Sequence, residues 1–252
     1  MSTLYVVATP IGNLEDITLR ALRVLGEVDL ILCEDTRVTY KLLSHYGISK
    51  PTLSYHQHSK PEKMEYIFRL LQEGKNLALV CDAGTPGVSD PGNELIAFLL
   101  RESKNINNVR LQDISIVPVP GASAVSAAAS IAGFPMERFT FLGYPPSKKG
   151  RKKFFGDLVQ AKHPVIFYES PYRIVKTLVE LQNTLDTKYK IQNTRLVVCR
   201  ELTKKFETMY RGNIEEVINQ LRQTLAKGEF VVIVHPLVLT NASTALSRSS
   251  LV

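Results

Sequence analysis

The chain has 252 residues, of which 44% are hydrophobic and 22% charged, and its formal net charge is +7. These values suit a protein that buries a substantial core in one large domain or two small ones. No apolar run approaches the about 20 residues of a membrane-spanning helix, and the N-terminal MSTLYVVATP lacks the features of a signal peptide, so we expect a cytoplasmic protein with no membrane partner.

Short β-branched runs alternate with longer amphipathic runs along the chain. This pattern predicts α/β architecture with a largely parallel sheet. Helical spacing of apolar residues predicts helices in PEKMEYIFRLLQEG, SAVSAAASIAG, PYRIVKTLVELQNTL and NIEEVINQLRQTLAKG. The predicted strands are, in chain order, Leu4–Ala8, Val28–Cys33, Leu77–Cys81, Ile114–Val117, Phe139–Leu142, Val165–Tyr168, Leu196–Cys199 and Phe230–Val234.

The segment PVPGAS is the best candidate for a hinge between two α/β halves, because the alternation of strands and helices begins again after it. We therefore predict an N-terminal α/β domain over residues 1–118 and a C-terminal α/β domain over residues 119–238. Residues 239–252 are rich in Ser and Thr and have no periodicity, which predicts a disordered tail.

Three loops that contain Gly and Pro follow predicted strands: ATPIGNLEDIT, DAGTPGVSDPG and VPGASAV. In parallel α/β sheets, ligands bind outside the carboxyl ends of the strands, where such loops gather. Neither the dinucleotide pattern nor the P-loop pattern occurs in them. One such loop would be an ordinary turn, whereas three at corresponding strand ends indicate a binding cleft.

Charged and polar residues also follow three of the predicted strands. They can be explained as helix caps and local ion pairs, or as groups that face a ligand at the carboxyl ends of the strands. These residues are Glu34, Asp35 and Arg37; Glu169, Ser170 and Arg173; and Arg200, Glu201, Thr203 and Lys204.

The segment PPSKKGRKKF concentrates positive charge in the second half of the chain. Residues 1–120 contain 12 basic against 14 acidic residues, whereas residues 121–252 contain 19 against 10. A solvated surface loop is one explanation; contact with the phosphates of a nucleic acid is the other, with Tyr144, Phe154 and Phe155 stacking on bases. The basic residues of the segment are Lys148, Lys149, Arg151, Lys152 and Lys153.

The cysteines and histidines indicate neither a metal nor a redox site. Cys33, Cys81 and Cys199 each end an apolar run, which is typical of small buried side chains in a reducing compartment. His56 and His58 are two residues apart, but no further His or Cys completes a ligand set, so we expect no metal.

Eight motifs together resemble one known family. ATPIGNLEDIT, CEDTR, SYHQH, DAGTPGVSDPG, PVPGASA, FLGYPPSKKGR, FYESPYR and CRELTKKFET follow one another between Leu4 and about Val234. They are similar to the motifs of the RsmI-type small-subunit ribosomal RNA (cytidine-2′-O-)methyltransferases, which belong to the tetrapyrrole-methylase-like (class III) S-adenosylmethionine enzymes. The resemblance implies two α/β domains with the methyl donor in the cleft between them, and usually a homodimer.

The resemblance also implies an activity and a set of contacts. The activity is methylation of the ribose 2′-hydroxyl of a cytidine in the decoding region of 16S rRNA, so the implied partner is the small ribosomal subunit. The implied contacts with S-adenosylmethionine are Pro10, Thr85, Val88, Ser123, Ala124, Tyr168 and Thr203.

Methyl transfer to a hydroxyl from an activated donor depends mostly on positioning, and a carboxylate can accept the hydroxyl proton. We predict Asp35 or Glu169 as the proton acceptor. Two other functions stay open: a class III methyltransferase acting on an anionic tetrapyrrole-type molecule, and an RNA-binding module without catalysis. The predicted contacts with RNA phosphates are Arg37, Arg173, Lys204 and the basic residues Lys148, Lys149, Arg151 and Lys152.

Overall fold

The structure is a computed structural model that describes residues 2–56, 59–105, 114–186, 194–224 and 227–235. The chain divides into two compact units, residues 1–127 and 128–252. His58 and the predicted tail, 239–252, lie outside the described residues. Within the described residues, each unit contains one five-stranded sheet.

The sheet of the first unit is entirely parallel, in the order β3-β2-β4-β1-β5. Its strands are β1 (Ser2–Val7), β2 (Leu30–Cys33), β3 (Thr52–Ser54), β4 (Leu77–Leu79) and β5 (Ile114–Val119). The helices of this part of the chain are α1 (Leu19–Glu27), α2 (Thr36–His45), α3 (Pro61–Gln72), α4 (Asn93–Asn105) and α5 (Ala124–Ser130), and a short 3₁₀ helix covers Leu14–Asp16.

Successive residues of a strand point to opposite faces of the sheet. In the first sheet both of these faces are covered by helices, as is usual for parallel strands. In β4, Ala78 packs into the cluster that contains Val24 and Leu25 of α1. Its neighbour Leu77 packs into the cluster that contains Ile67 of α3 and residues of α4. Both faces are therefore apolar, and polar groups of this sheet collect at the strand ends.

The sheet of the second unit has the order β6-β7-β10-β8-β9, and among its neighbouring strands only β6 and β7 pair in parallel. The expectation of a largely parallel sheet is wrong for this unit. Residues 201–207 join β8 to β9, and so short a connection permits only an antiparallel pair. The strands are β6 (Thr140–Phe141), β7 (Val165–Glu169), β8 (Arg195–Arg200), β9 (Thr208–Asn213) and β10 (Phe230–Val234); the helices are α6 (Arg151–Gln160), α7 (Ile174–Thr184) and α8 (Ile214–Gln223).

All eight predicted strands are present, each within two residues of its predicted ends. Strands β3 and β9 were not predicted. Both lie at the edge of a sheet, and β9 reads TMYRGN, with only Tyr210 buried. An edge strand can remain polar and half exposed, so it lacks the apolar run by which the other strands were identified.

Helix α6 buries Phe154 and Phe155 in the core of the second unit, in a cluster with residues of α7; Phe154 contacts the rings of both Phe155 and Phe167. The expectation that these two rings stack on bases is therefore wrong. They lie on the apolar face of the helix together with Leu158 and Val159, whereas the lysines of its first turn are exposed.

The three cysteines are buried and free, as expected. Burial raises the pKa of each thiol, that of Cys199 to about 11, so the thiols stay protonated and unreactive. Among the described residues, no three His, Cys, Asp or Glu side chains are grouped to hold a metal ion. No described helix combines the length and the apolar character needed to cross a membrane.

Helix α8 begins with a reciprocal cap, which gives a test of the fold. The Asn213 side chain accepts the Glu216 N–H at 2.9 Å, and the Glu216 carboxylate accepts the Asn213 N–H at 2.9 Å. We expect Asn213→Ala to lower the free energy of unfolding by about 1 kcal/mol. Asn219→Ala, on the exposed side of the same helix, should leave it unchanged or raise it slightly. Urea unfolding measures both, and equal losses would contradict the assignment of the cap.

Candidate functional site

The three Gly- and Pro-containing loops of the first unit meet at the carboxyl edge of its sheet, as expected. Thr9 and Gly84 exchange backbone hydrogen bonds of 2.9 and 3.0 Å, and the Thr9 hydroxyl donates to the Cys81 carbonyl at 3.1 Å. The Thr85 hydroxyl donates to the Ala122 carbonyl at 3.2 Å. These bonds connect the loops after β1, β4 and β5.

Two glycines allow the loops to approach one another closely. Gly84 has a φ of +87°, and a Cβ built there would lie 3.4 Å from the Ile11 side chain. At Gly121 a Cβ would lie 3.1 Å from the Cβ of Ala8, which is closer than most carbon contacts. The backbone of these loops, rather than long side chains, therefore forms much of this edge.

Two concavities adjoin the loops within the first unit. One, of about 160 Å³, is lined by residues that include Thr9, Pro10, Thr39 and Asp82. The other, of about 350 Å³, lies against the second half of the loop after β4, where Ser89 has a left-handed φ of 63°. The first is smaller than an ordinary ligand pocket of about 300–1,000 Å³ and could hold only part of a nucleoside-sized molecule.

The predicted donor contacts of the first unit lie along this edge. Pro10 is buried directly after the Thr9–Gly84 pairing, and Thr85 is half-buried. The Val88 side chain is exposed. Ser123 precedes α5 and accepts the Ala127 N–H at 2.9 Å, while Ala124 is the first residue of that helix.

Asp35, one of the two predicted proton acceptors, caps α2 and pairs with Arg37. Its carboxylate accepts the Arg37 N–H at 2.8 Å and the guanidinium at 2.6 Å. Hydrogen bonds from Arg37 lower the pKa of Asp35 to about 2. Such a carboxylate is a weak base at neutral pH.

Asp82 and Glu34 have the opposite character. Asp82 accepts the Asp35 N–H at 3.0 Å with one carboxylate oxygen and lines the smaller concavity. Partial burial, with the Asp35 charge as a further cause, raises the pKa of Asp82. Burial and then the charges of Asp82 and Asp90 raise the pKa of Glu34. These carboxyl groups bind a proton more readily than Asp35 does.

In the second unit, strand direction again brings polar residues to one edge. Because β7 and β8 are both antiparallel to β10, their carboxyl ends lie together, with Phe230 opposite both Glu169 and Arg200. Strand β6 is parallel to β7, so the loop after it reaches the same edge. The Tyr168 N–H donates to the Gly143 carbonyl of that loop at 3.0 Å.

Glu169, the other predicted proton acceptor, is fully buried and has both carboxylate oxygens engaged. One oxygen accepts the Thr177 hydroxyl at 2.6 Å. The other accepts the Ser170 N–H at 2.7 Å and pairs with the Arg173 guanidinium at 2.9 Å. The structure thus holds Glu169 as an internal acceptor.

Arg151 and Arg173, both predicted phosphate ligands, reach inward from the basic segment and from the turn after β7. Arg151 donates to Glu180 at 2.8 Å, to the Thr177 hydroxyl at 2.8 Å and to the Pro146 carbonyl at 3.1 Å. Arg173 donates to the Pro145 carbonyl at 3.3 Å. With only 11% of its side chain exposed, Arg151 supports the basic segment from within.

Lys204, a third predicted phosphate ligand, forms ion pairs with Glu201 at 2.9 Å and Glu229 at 3.0 Å. Burial works to lower the pKa of Lys204, but the bonds with these two carboxylates outweigh it and raise the pKa. The hairpin loop that contains it is strained, since Glu201 and Thr203 have left-handed φ values of 52° and 66°. Such backbone costs about 1–3 kcal/mol per residue and is concentrated at functional sites.

The exposed cations of the basic segment are the lysines. Lys148, Lys149 and Lys152 are all exposed. They surround the start of α6, whose N-cap Gly150 has a φ of 89° and provides no side-chain cap. The positive end of a helix dipole next to three lysines favours an anion at this position.

Four residues of interest are not indicated by the sequence patterns above: Asp82, Thr177, Tyr172 and Phe206. Asp82 directly follows the apolar run of β4, and this was a usable signal. Thr177 is one of several helical threonines and its buried position depends on the fold. Tyr172 and Phe206 are exposed aromatic residues, and a single sequence does not distinguish an exposed aromatic residue from a buried one.

The Thr177 hydroxyl connects Glu169 with Arg151, so its removal should be costly. We expect Thr177→Val, which keeps the shape of the side chain, to lower the free energy of unfolding by about 1–3 kcal/mol, because a buried acceptor and a buried donor each lose a partner. Thr184→Val, which removes only a bond to the Glu180 carbonyl in the same helix, should change it by less than about 0.5 kcal/mol. Similar values for the two variants in denaturant unfolding would show that the network contributes little.

Comparison with known proteins supports the resemblance. The family model for tetrapyrrole (corrin/porphyrin) methylases matches residues 3–218. The ribosomal RNA small subunit methyltransferase I of Halalkalibacterium halodurans is 44% identical over 234 residues, which cover 92% of this chain and 75% of that protein. The protein of the same name from Mycoplasmopsis pulmonis is 43% identical over 233 residues, which cover 92% of this chain and 97% of that protein.

Solved structures show the same fold at lower identity. The cobalt precorrin-4 methyltransferase CbiF aligns with a TM-score of 0.64 at 22% identity, covering 92% of this chain and 94% of that one. A uroporphyrin-III C-methyltransferase from Thermus thermophilus, complexed with S-adenosylhomocysteine, aligns with a TM-score of 0.60 at 19% identity, covering 92% and 96%. The predicted fold class is therefore confirmed, and the chain belongs to the tetrapyrrole methylase family.

Proposed function

We propose that this protein transfers a methyl group from S-adenosylmethionine to the ribose 2′-hydroxyl of a cytidine in the decoding region of 16S rRNA. The observation that supports this most strongly is the 44% identity, over 92% of the chain, to a ribosomal RNA small subunit methyltransferase I. Its natural partner is then the small ribosomal subunit. The predicted homodimer and the cytoplasmic location belong to the same proposal.

The first unit has features that suit the methyl donor. S-adenosylmethionine supplies an activated methyl group and carries no phosphate, and the loops at residues 8–13, 82–88 and 118–124 contain no Lys or Arg. Gly84 and Gly121 let these loops pack closely on one another, so backbone atoms rather than long side chains line this edge. The donor contacts that we propose here are Pro10, Thr85, Val88, Ser123 and Ala124; Tyr168 and Thr203 of the second unit remain predicted contacts.

The reaction also needs a group to accept the hydroxyl proton, and we assign this role to Asp82. Asp35 and Glu169 are each committed to an arginine. Asp82 lines the concavity beside Pro10, and its bond from the Asp35 N–H uses one of its two oxygens. Asp82 therefore replaces the two predicted residues in this proposal.

Most of the proposed RNA contacts belong to the second unit. Lys148, Lys149 and Lys152 lie around the uncapped start of α6, where they would contact backbone phosphates. Arg37 is exposed and could reach a phosphate in spite of its ion pair. Arg151, Arg173 and Lys204 make internal contacts and would act by holding the segments on which the RNA lies.

Radiolabelled methyl transfer tests the proposed function. We expect the purified protein to label isolated small ribosomal subunits from a strain that lacks the corresponding gene, and to label them less as salt rises. A tetrapyrrole such as uroporphyrinogen III, offered as the alternative substrate, should remain unlabelled. Labelling of the tetrapyrrole alone would replace the proposal by the small-molecule alternative, and failure to bind donor in calorimetry would favour a non-catalytic RNA-binding module.

Three variants compare the candidate proton acceptors. We expect Asp82→Asn to reduce the rate of methyl transfer by about 10²–10⁴-fold, because the amide still accepts the Asp35 N–H but cannot take the proton. Asp35→Asn should have a much smaller effect, and Glu169→Gln should mainly lower the free energy of unfolding.

The pH dependence gives a second test of Asp82. The acceptor must be ionised to take the proton. Because burial raises the pKa of Asp82, the rate should begin to fall on acidification at a higher pH than for an ordinary aspartate, whose pKa is about 4. Asp82→Asn should abolish this dependence. A wild-type rate for Asp82→Asn would exclude Asp82 as the acceptor.

A further inference from the structure

We propose that Tyr172 and Phe206 form a stacking platform for unpaired nucleotides at the carboxyl edge of the second unit's sheet. The proposal rests on the proposed RNA substrate and goes further, since it defines the RNA that this edge recognises as single-stranded. Neither residue belongs to the donor or proton-acceptor positions assigned above.

The exposure of the two rings is the first observation. The Tyr172 side chain is 94% exposed and that of Phe206 67%. In the described part of the second unit, no other large hydrophobic residue is more than half exposed. Neither ring adds to a core, although an aromatic ring gains free energy when it leaves water.

Hydrogen bonds of the turn and the hairpin loop hold the backbone around each ring in place. The N–H groups of Arg173 and Ile174 both donate to the Ser170 carbonyl at 3.1 Å, so Tyr172 lies on a closed turn. The Arg173 guanidinium anchors this turn to the buried Glu169 at 2.9 Å. Tyr172 therefore stands on a rigid support that projects its ring into solvent.

Phe206 is supported in a comparable way in the hairpin loop between β8 and β9. The Lys204 N–H donates to the Glu201 carbonyl at 3.0 Å, and the Glu207 N–H donates to the Lys204 carbonyl at 3.0 Å. The Lys204 ammonium holds the loop to Glu201 and Glu229. A backbone held in this way needs little further ordering when a ligand binds.

The two rings share an edge with exposed positive charge. Strands β7 and β8 both flank β10, so their axes are about 10 Å apart, and Tyr172 and Phe206 follow their carboxyl ends. Lys205 is exposed, with its ammonium 5.7 Å from the centre of the Phe206 ring. Lys148 and Lys149 follow β6 at the same edge.

Exposed rings among lysines are the combination that binds single-stranded nucleic acid. Lysines neutralise the phosphates, and aromatic faces stack on bases regardless of sequence. In a duplex the bases are already stacked and paired, so such rings would gain nothing. The excess of 19 basic over 10 acidic residues after residue 120 favours RNA over an uncharged protein partner.

Tryptophan reporters test the stacking directly, because the chain contains no Trp. We expect the fluorescence of the Tyr172→Trp and Phe206→Trp variants to be quenched by a single-stranded oligoribonucleotide of about 12 nucleotides. A duplex of the same sequence should quench it much less. Tyr66→Trp, on the half-exposed face of α3 in the first unit, is the matched control and should not respond.

Alanine variants measure the contribution of each ring to binding. Tyr172→Ala and Phe206→Ala should each weaken oligoribonucleotide binding by about five- to a hundredfold, with an unchanged salt dependence, and Tyr172→Phe should bind like the wild type. Lys148→Ala should instead reduce the slope of log affinity against log salt by about one. Wild-type affinity of both alanine variants, or quenching by small subunits but not by RNA, would overturn the platform.

The outcome is separable from that of the proposed function. If the wild-type protein methylates small subunits but neither tryptophan variant responds to RNA, the platform is wrong and the function stands. If the tryptophan variants respond but no methyl transfer to subunits occurs, the proposed methylation is wrong and the platform stands.

Discussion

The direction of the strands determines where the polar residues of this chain meet. In the first unit all five strands are parallel, so the loops after β1, β4 and β5 must emerge at one edge. In the second unit, β10 lies between β7 and β8 and runs antiparallel to both, so the carboxyl ends of β7 and β8 again lie at one edge. Residues far apart in sequence, such as Tyr172 and Phe206, are thereby brought to one surface.

The second unit uses buried charge to shape that surface. Burying Glu169, Arg173 and Arg151 costs desolvation free energy, which their mutual contacts must offset. Replacing such groups by apolar residues could be neutral for stability, but it would release the carbonyls of Pro145 and Pro146. The network therefore ties the start of the basic segment to the core of the second unit.

The sequence predicts much of the fold but less of the site. Apolar runs locate eight of the ten described strands, and Gly–Pro loops after three of them predict that these loops meet at one edge. The type of a side chain does not show whether it is buried. Arg151, next to four lysines, looks like a phosphate ligand, yet its guanidinium binds Thr177 and Glu180. In the same way, Phe154 and Phe155 next to the lysines look like surface rings, yet both are buried, whereas Phe206 is exposed. Whether such a side chain is buried or exposed depends on the register of its helix and on the order of the strands.

The identity of the methylated atom tests the account most directly. Small subunits from a strain lacking this gene, treated with purified protein and S-adenosylmethionine, can be digested and their 16S rRNA nucleosides separated by mass spectrometry. We predict one new 2′-O-methylcytidine, in a fragment from the decoding region. A methyl group on a base, or no methylated nucleoside in an experiment where donor is consumed, would contradict it.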